Sequence, residues 1–408
     1  MTRSSGTNAP FDRPFEHAPR TREKSSRPRP YPAHLPLTLS AYRPHVLARD
    51  RLRLWMPERK QPLPVDRDMI PIPLSENDVK RVFDLLEFAY SEGTTALYGS
   101  GLLVYHVFCD LKGIPERQRA PISIDLLRSF IASIAGTYSY SHIDNCICAV
   151  RAWHALHGLS WPADDDIVRL LLKASKIVAP PAQKKRPPLS VDTMVTLRTA
   201  MDLADPLAAA SWAALVLTFW CTARRGEFTL KTLTSFDPKK HVKLSDYRVQ
   251  RGNDNTEVHI FHLPSTKCAP IEGEDVYFAP QPDTLADPLA ALNNHLRINN
   301  PSSGEFLLSY ADANGRRVLT RSAMESCLQR AAKRLKISLP PGHSARIGNV
   351  LWHLTNGTPL DATQIKGRWK SRAFQLYLRE HAEIMSPYLL ARSDIHDVVT
   401  RRILLPIR

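Results

Sequence analysis

From Asp205 to Ala223 the chain reads DPLAAASWAALVLTFWCTA, with no charge between Asp205 and Arg224. A helix that is apolar around its whole circumference has no face to give to water. It must be the central helix of a core, wrapped on all sides by other elements. The run is followed at once by Arg224-Arg225-Gly226-Glu227. Two guanidinium groups at the end of a buried helix need an anionic partner, or they carry a large desolvation cost. Glu227, in the same turn, is the plainest partner within the chain, and a bound anion is the other.

What surrounds this helix is mostly helical. Residues 1–74 are rich in Pro, Arg and Ser, which removes backbone donors and leaves few periodic apolar positions. They read as a disordered basic arm that touches DNA phosphates, carries a nuclear-import signal or is simply a solvated tail, with docking of Leu52, Leu54 and Trp55 as a short helix left open. Ordered structure is expected from Ser75, where Ser75 and Asp78 form a capping pair. Residues 75–178 then show successive amphipathic helical segments punctuated by Gly113, Pro115, Gly136 and Gly158, a helical domain of ordinary size. Tyr138, Ser139 and His142 cluster at one helix start and Arg151 lies on that helix; free N–H groups and such side chains suit a phosphate, although caps and solvated faces use the same residues. Residues 179–189, with Lys184-Lys185-Arg186 between prolines, read as a basic linker that could track a DNA backbone.

From 190 to 408 a second domain is expected. Ser190 caps its first helix, and the buried helix follows. SDYRVQ, RGNDN and TEVHIFHLP read as a β-hairpin, and EDVYFAP as a third strand. Lys267 sits in the loop between the second and third strands. Asp287-Pro288 and Thr320 start further helices, and FLLSYADANGRRVLT reads as a short extended turn. The fold class is mainly α (α+β), with a small three-stranded antiparallel sheet in the second domain.

The formal net charge is +15, which favours a polyanionic partner. No apolar run reaches the ~20 residues of a membrane span, and the first residues have no signal-peptide core. The six cysteines form no C-x-x-C pair and read as reduced. An intracellular protein is expected, nuclear if the host is eukaryotic.

The chemistry-bearing residues come in a fixed order: Arg224 in TARRGE, Lys267 in LPSTK, His343 and Arg346 in HSARIG, then Trp369 and Tyr377 in GRWKSRAFQLYLR. In that order and context the chain, over about 75–395, resembles the tyrosine recombinase (phage-integrase-type) family, and within it the Crypton-like eukaryotic members. The resemblance implies that Arg224, Lys267, His343, Arg346, Trp369 and Tyr377 are catalytic. The family's first arginine stands three residues before a Glu, which selects Arg224 over Arg225. Its Gly-His or Gly-Trp motif commonly stands nine residues before the tyrosine. Here Arg368 is nine before Tyr377 and Trp369 eight, and the role goes to Trp369 because an indole N–H can donate. Tyr388 is a rival nucleophile by residue type, but it follows Pro387 and is out of register.

A phenol with pKa near ~10 attacks a phosphodiester only if the developing charge is stabilised. The resemblance implies that Arg224 and Arg346 clamp the non-bridging oxygens. His343 acts as base or orients the phosphate, Trp369 donates to a phosphate oxygen, and Lys267 protonates the leaving 5′-oxygen. The product is a 3′-phosphotyrosyl link, so the reaction needs no metal, ATP or other cofactor. The partner is double-stranded DNA, with a tetramer on DNA by family analogy. Three other readings use the same sequence: a recombinase-derived DNA-binding protein that no longer cuts, a type IB topoisomerase-like enzyme, and a helical scaffold with solvated basic faces.

Overall fold

The computed structural model describes residues 27–370, apart from 33–34, 36, 59–66, 69, 71, 163–164, 182–185 and 341. Lys184, Lys185, Tyr377 and Tyr388, and with them the proposed nucleophile, lie outside the described residues. The chain divides into two compact units, Met1–Gln183 and Lys184–Arg408.

The first unit is helical: α1 Ala48–Leu54, α2 Glu76–Leu86, α3 Glu92–Leu111, α4 Glu116–Arg119, α5 Ile124–Ile134, α6 Tyr140–Leu156 and α7 Asp166–Ile177. The capping pair read at Ser75 recurs in the structure. The Ser75 N–H donates to Asp78 at 2.9 Å and the Asp78 N–H to Ser75 Oγ at 3.2 Å, so an aspartate completes the capping box. Ser123, Ser139 and Asp165 accept from the first turns of α5, α6 and α7. α3 and α6 pack on each other and on α1, around Leu102, Tyr105, Phe130, Ile143 and Trp153.

The expectation that residues up to 74 form a disordered arm fails at 43–55. Leu52 and Trp55 are buried in the core of this unit, and α1 crosses α3 where Gly99 would place a Cβ 1.7 Å from the Ala48 carbonyl oxygen. Trp153 Nε1 donates to the Trp55 carbonyl at 2.6 Å. Arg43, in the same segment, is buried against Asp110 at 3.0 Å and Glu116 at 2.9 Å. Arg119 joins the same Asp110 at 2.6 Å. These partners are distant in sequence, so local periodicity could not reveal them. Burial supplies what composition denied: a paired guanidinium and a buried indole offset the ordering entropy of a Pro-rich stretch.

In the second unit α8 Val191–Thr199 precedes α9 Pro206–Trp220, capped by Ser190 and Asp205 respectively. Every residue of α9 from Ala208 to Trp220 is buried, as its composition requires. Strands β1 Tyr247–Arg251, β2 Glu257–Leu263 and β3 Glu274–Phe278 form an antiparallel sheet in the order β1-β2-β3. Phe261 lies opposite Tyr247 on one side and Val276 on the other. α10 Pro288–Asn299 follows, then a hairpin of β4 Ser309–Asp312 and β5 Gly315–Val318 where an extended turn was expected. α11 Arg321–Arg334, α12 Ser344–Thr355 and α13 Leu360–Lys366 follow among the described residues. α9 is the hub: α10, α11, α12, β3 and β4 pack on it, and Trp220 Nε1 donates to the Ala286 carbonyl at 2.8 Å. The mainly α class with one small three-stranded antiparallel sheet is the class observed. Among the described residues, no helix is long and apolar enough to cross a membrane.

Candidate active site

The end of α9 places the first arginine. Thr222 turns the chain with φ +49, and its hydroxyl donates to Asn349 Oδ1 on α12. The segment carrying Arg224 is therefore tied to the helix that carries Arg346. Arg224 then folds back on Glu227: its backbone N–H donates to Oε2 at 2.7 Å and Nη1 to Oε1 at 3.0 Å. Its Nη2 reaches Cys268 Sγ at 3.2 Å, next to Lys267. Arg225 points elsewhere and pairs with Glu325 on α11.

α12 is buried from Ser344 to Val350, and Arg346 is among the largest fully buried side chains. The helix can sit there because Gly348 leaves room for the Leu189 carbonyl oxygen, which a Cβ would approach to 1.8 Å. The Leu189 N–H donates to the Ser344 carbonyl at 3.0 Å, so the end of the basic 179–189 segment is part of this core. The Arg346 guanidinium carbon lies 4.3 Å from the centroid of the Trp369 ring, and Nη2 donates to the Gly367 carbonyl. Trp369 thus covers the guanidinium plane of Arg346.

His343, at the start of α12, is exposed. Partial loss of solvent, followed by the charges of Arg346, Arg186, Arg224 and Arg225, pulls its pKa below the ordinary histidine value. Arg186 comes from the segment before Leu189, and its Nη1 lies 3.3 Å from the position of a Cβ on Gly342. Lys267 is exposed in the β2–β3 loop. The described residues Arg224, Lys267, His343, Arg346 and Trp369, separated by up to 145 positions in the chain, converge around one region of the second unit.

Arg368 is the residue that spacing alone treated least well. It takes a left-handed φ of +58, and its side chain is 7% exposed. Its Nη2 pairs with Glu227 Oε2 at 2.6 Å and its Nη1 with Glu274 Oε2 at 3.3 Å. Burial pushes the Glu227 carboxyl up, but Arg368 and then Arg224 outweigh it and hold the pKa below the usual carboxylate range. Arg368 stands nine residues before Tyr377, yet it is spent on carboxylates, while Trp369 faces Arg346. Glu227, Glu274 and Arg368 were missed as a network because its members lie 94 and 141 positions apart.

In the first unit, the residues expected at DNA are partly used locally. Ser139 caps α6, Tyr138 stacks on the His142 ring at 4.5 Å, and Arg151 is exposed on α6.

This architecture is the tyrosine-recombinase fold. The solved structure that carries the assignment is the crystal structure of the XerH site-specific recombinase bound to palindromic difH substrate in a post-cleavage complex. It is 12% identical, covers 77% of this chain and 84% of its own, and superposes with a TM-score of 0.50. A XerA recombinase (16% identity, 77% of this chain, 99% of its own, TM-score 0.32) and an FLP recombinase–Holliday junction complex (12%, 61%, 69%, 0.32) also match, but at those scores they add nothing to the assignment. No protein-family model and no curated protein matches the chain.

Proposed function

We propose that this protein is a site-specific DNA recombinase that cleaves and rejoins strands through a 3′-phosphotyrosyl link on Tyr377. The observation that carries the reading is the tie between the two segments that bear Arg224 and Arg346: Thr222, two residues before Arg224, bonds to Asn349, three residues after Arg346, and Arg186 reaches Gly342, next to His343. Arg224 and Arg225 already have carboxylates in Glu227 and Glu325, and a phosphodiester would join them as a further anion beside Arg346 and His343. Arg224 and Arg346 would hold its non-bridging oxygens, with Arg346 braced by the Trp369 ring. His343, kept neutral near pH 7, is in the state needed to accept a proton from the attacking phenol. Lys267 would deliver a proton to the departing 5′-oxygen. Double-stranded DNA is the partner, and by family analogy a tetramer is the working assembly.

The test uses the full chain and a nicked suicide duplex built from DNA flanking its gene. A denaturation-resistant protein–DNA adduct is expected, with Tyr377→Phe abolishing it. Absence of any adduct with the unaltered protein, or its survival in Tyr377→Phe, overturns the proposal. The first result would favour a silent DNA-binding protein and the second Tyr388.

A further inference from the structure

Lys267 is an exposed side chain on a turn that is anything but loose. The Thr266 N–H donates to the Ala269 carbonyl at 3.0 Å. The Cys268 and Ala269 N–H groups donate to Thr266 Oγ1 at 3.2 and 3.1 Å. That same hydroxyl donates to Glu274 Oε2 at 2.5 Å. Glu274 accepts from Arg368, Arg368 pairs with Glu227, and Glu227 holds Arg224. Arg224 Nη2 then returns to Cys268 Sγ at 3.2 Å. The contacts close into a ring that contains the backbone on both sides of Lys267 and the guanidinium of Arg224. Gly273 makes the closure possible: it adopts φ +72, and a Cβ there would lie 2.2 Å from the Leu263 carbonyl oxygen.

We propose that Thr266, Glu274 and Arg368 are positioning residues for Lys267. They set the turn at a fixed distance from Arg224, so that one phosphate is clamped and its leaving oxygen lies within reach of the ammonium. This rests on the proposed function. In the step concerned, the Tyr377 phenol gives its proton to His343, its oxygen bonds to phosphorus and the P–O5′ bond breaks. The electron pair goes to O5′, and the Lys267 ammonium gives O5′ a proton and becomes a neutral amine. A leaving alkoxide is strongly basic and needs that proton. A thiolate, whose conjugate acid has a pKa of roughly 8.5, leaves without it. Replacing the bridging 5′-oxygen with sulfur therefore removes the need for Lys267 and for whatever positions it, and leaves the need for the clamp intact.

The experiment measures single-turnover cleavage by the full chain on two nicked duplexes of one sequence, one with a bridging 5′-oxygen and one with a bridging 5′-sulfur. General acid catalysis supplies roughly 10²–10⁴-fold, so a displaced but present lysine should cost about 10–100-fold. Thr266→Val is expected to show that loss on oxygen and to cleave the sulfur duplex within about threefold of the unaltered protein. Thr266→Ser, which keeps the hydroxyl, should restore oxygen cleavage. Glu274→Gln should show the same split and serves if Thr266→Val does not fold. Equal loss of Thr266→Val or Glu274→Gln on both duplexes, or no loss on either, overturns the positioning role. Lys267→Ala is run beside them. If it is not rescued by sulfur, the general-acid reading of Lys267 itself fails. If it is rescued and the Thr266 and Glu274 variants are not, only the positioning proposal fails.

Discussion

Replacing Arg368 with methionine removes the cation from the middle of a buried carboxylate pair while keeping much of the side-chain volume. Arg368 and Glu227 have side chains 7% and 8% exposed, so neither charge can turn to water. Taking one partner from a buried pair costs about 3–5 kcal/mol, because the other charge is left behind. Here Glu227 keeps Arg224 Nη1 at 3.0 Å and a backbone N–H at 2.7 Å, which places the loss near the lower end, about 3 kcal/mol. In a unit the size of Lys184–Arg408, 1 kcal/mol moves Tm by about 2–4 °C, so the unfolding midpoint of that unit should fall by about 6–12 °C at pH 7. Acidity supplies the second signature. The native Glu227 pKa is held below the ordinary value, so its ionised contribution is present above that value and is lost as pH falls through the native one. Without Arg368, burial prevails, the carboxyl takes a proton at higher pH, and the penalty is relieved. The gap between the two proteins should narrow as pH is lowered toward about 4. Calorimetry across that range decides the matter. A Tm change under about 2 °C, or a gap that does not depend on pH, would show that Glu227 does not depend on Arg368 for its charge.

Other outcomes follow from the same geometry. Arg346→Lys should lower cleavage about 10²–10³-fold while duplex affinity stays nearly constant, because lysine cannot form the planar fork or cover the Trp369 ring; parallel loss in a binding assay would contradict the assignment. His343 should titrate by NMR below the ordinary ~6.5 in the free protein and move upward when inorganic phosphate is added, since an anion offsets the four arginines; a midpoint above 6.5 without anion sinks the cluster as described. A chain begun at Ser75 should lose the fold of the first unit, seen as lost near-ultraviolet circular dichroism from that unit, because Leu52 and Trp55 leave its core; retained melting cooperativity would show that α1 is dispensable.

The features legible in the sequence are those decided within a few residues. Ser75 with Asp78, Ser190, Asp287 and Thr320 cap helices because a cap needs only the next turn. The buried α9 was legible because its composition leaves no alternative. α1 was legible only as an open alternative on Leu52, Leu54 and Trp55, since the partners that fix it and the chain before it, the Gly99 carbonyl for Arg51 and Asp110 and Glu116 for Arg43, come from elsewhere. At the site, residue types and order pointed to the convergent set, while the Arg368 network was invisible because ion pairing across β3 and the end of α9 leaves no periodic trace. The left-handed Arg368 turns back into the carboxylates, and the next residue swings over Arg346.

Gly367, Arg368 and Trp369 also bear on how such a site can change through descent. A Cβ on Gly367 would lie 1.6 Å from the Trp369 ring, and the Gly367 carbonyl accepts from Arg346. A lineage cannot enlarge Gly367 while keeping the indole, and losing the indole strips that ring from Arg346. Arg368, between them, is committed to Glu227 and Glu274. Gly367 and Trp369 therefore constrain each other, and a double substitution of these two should cost less than the sum of the singles.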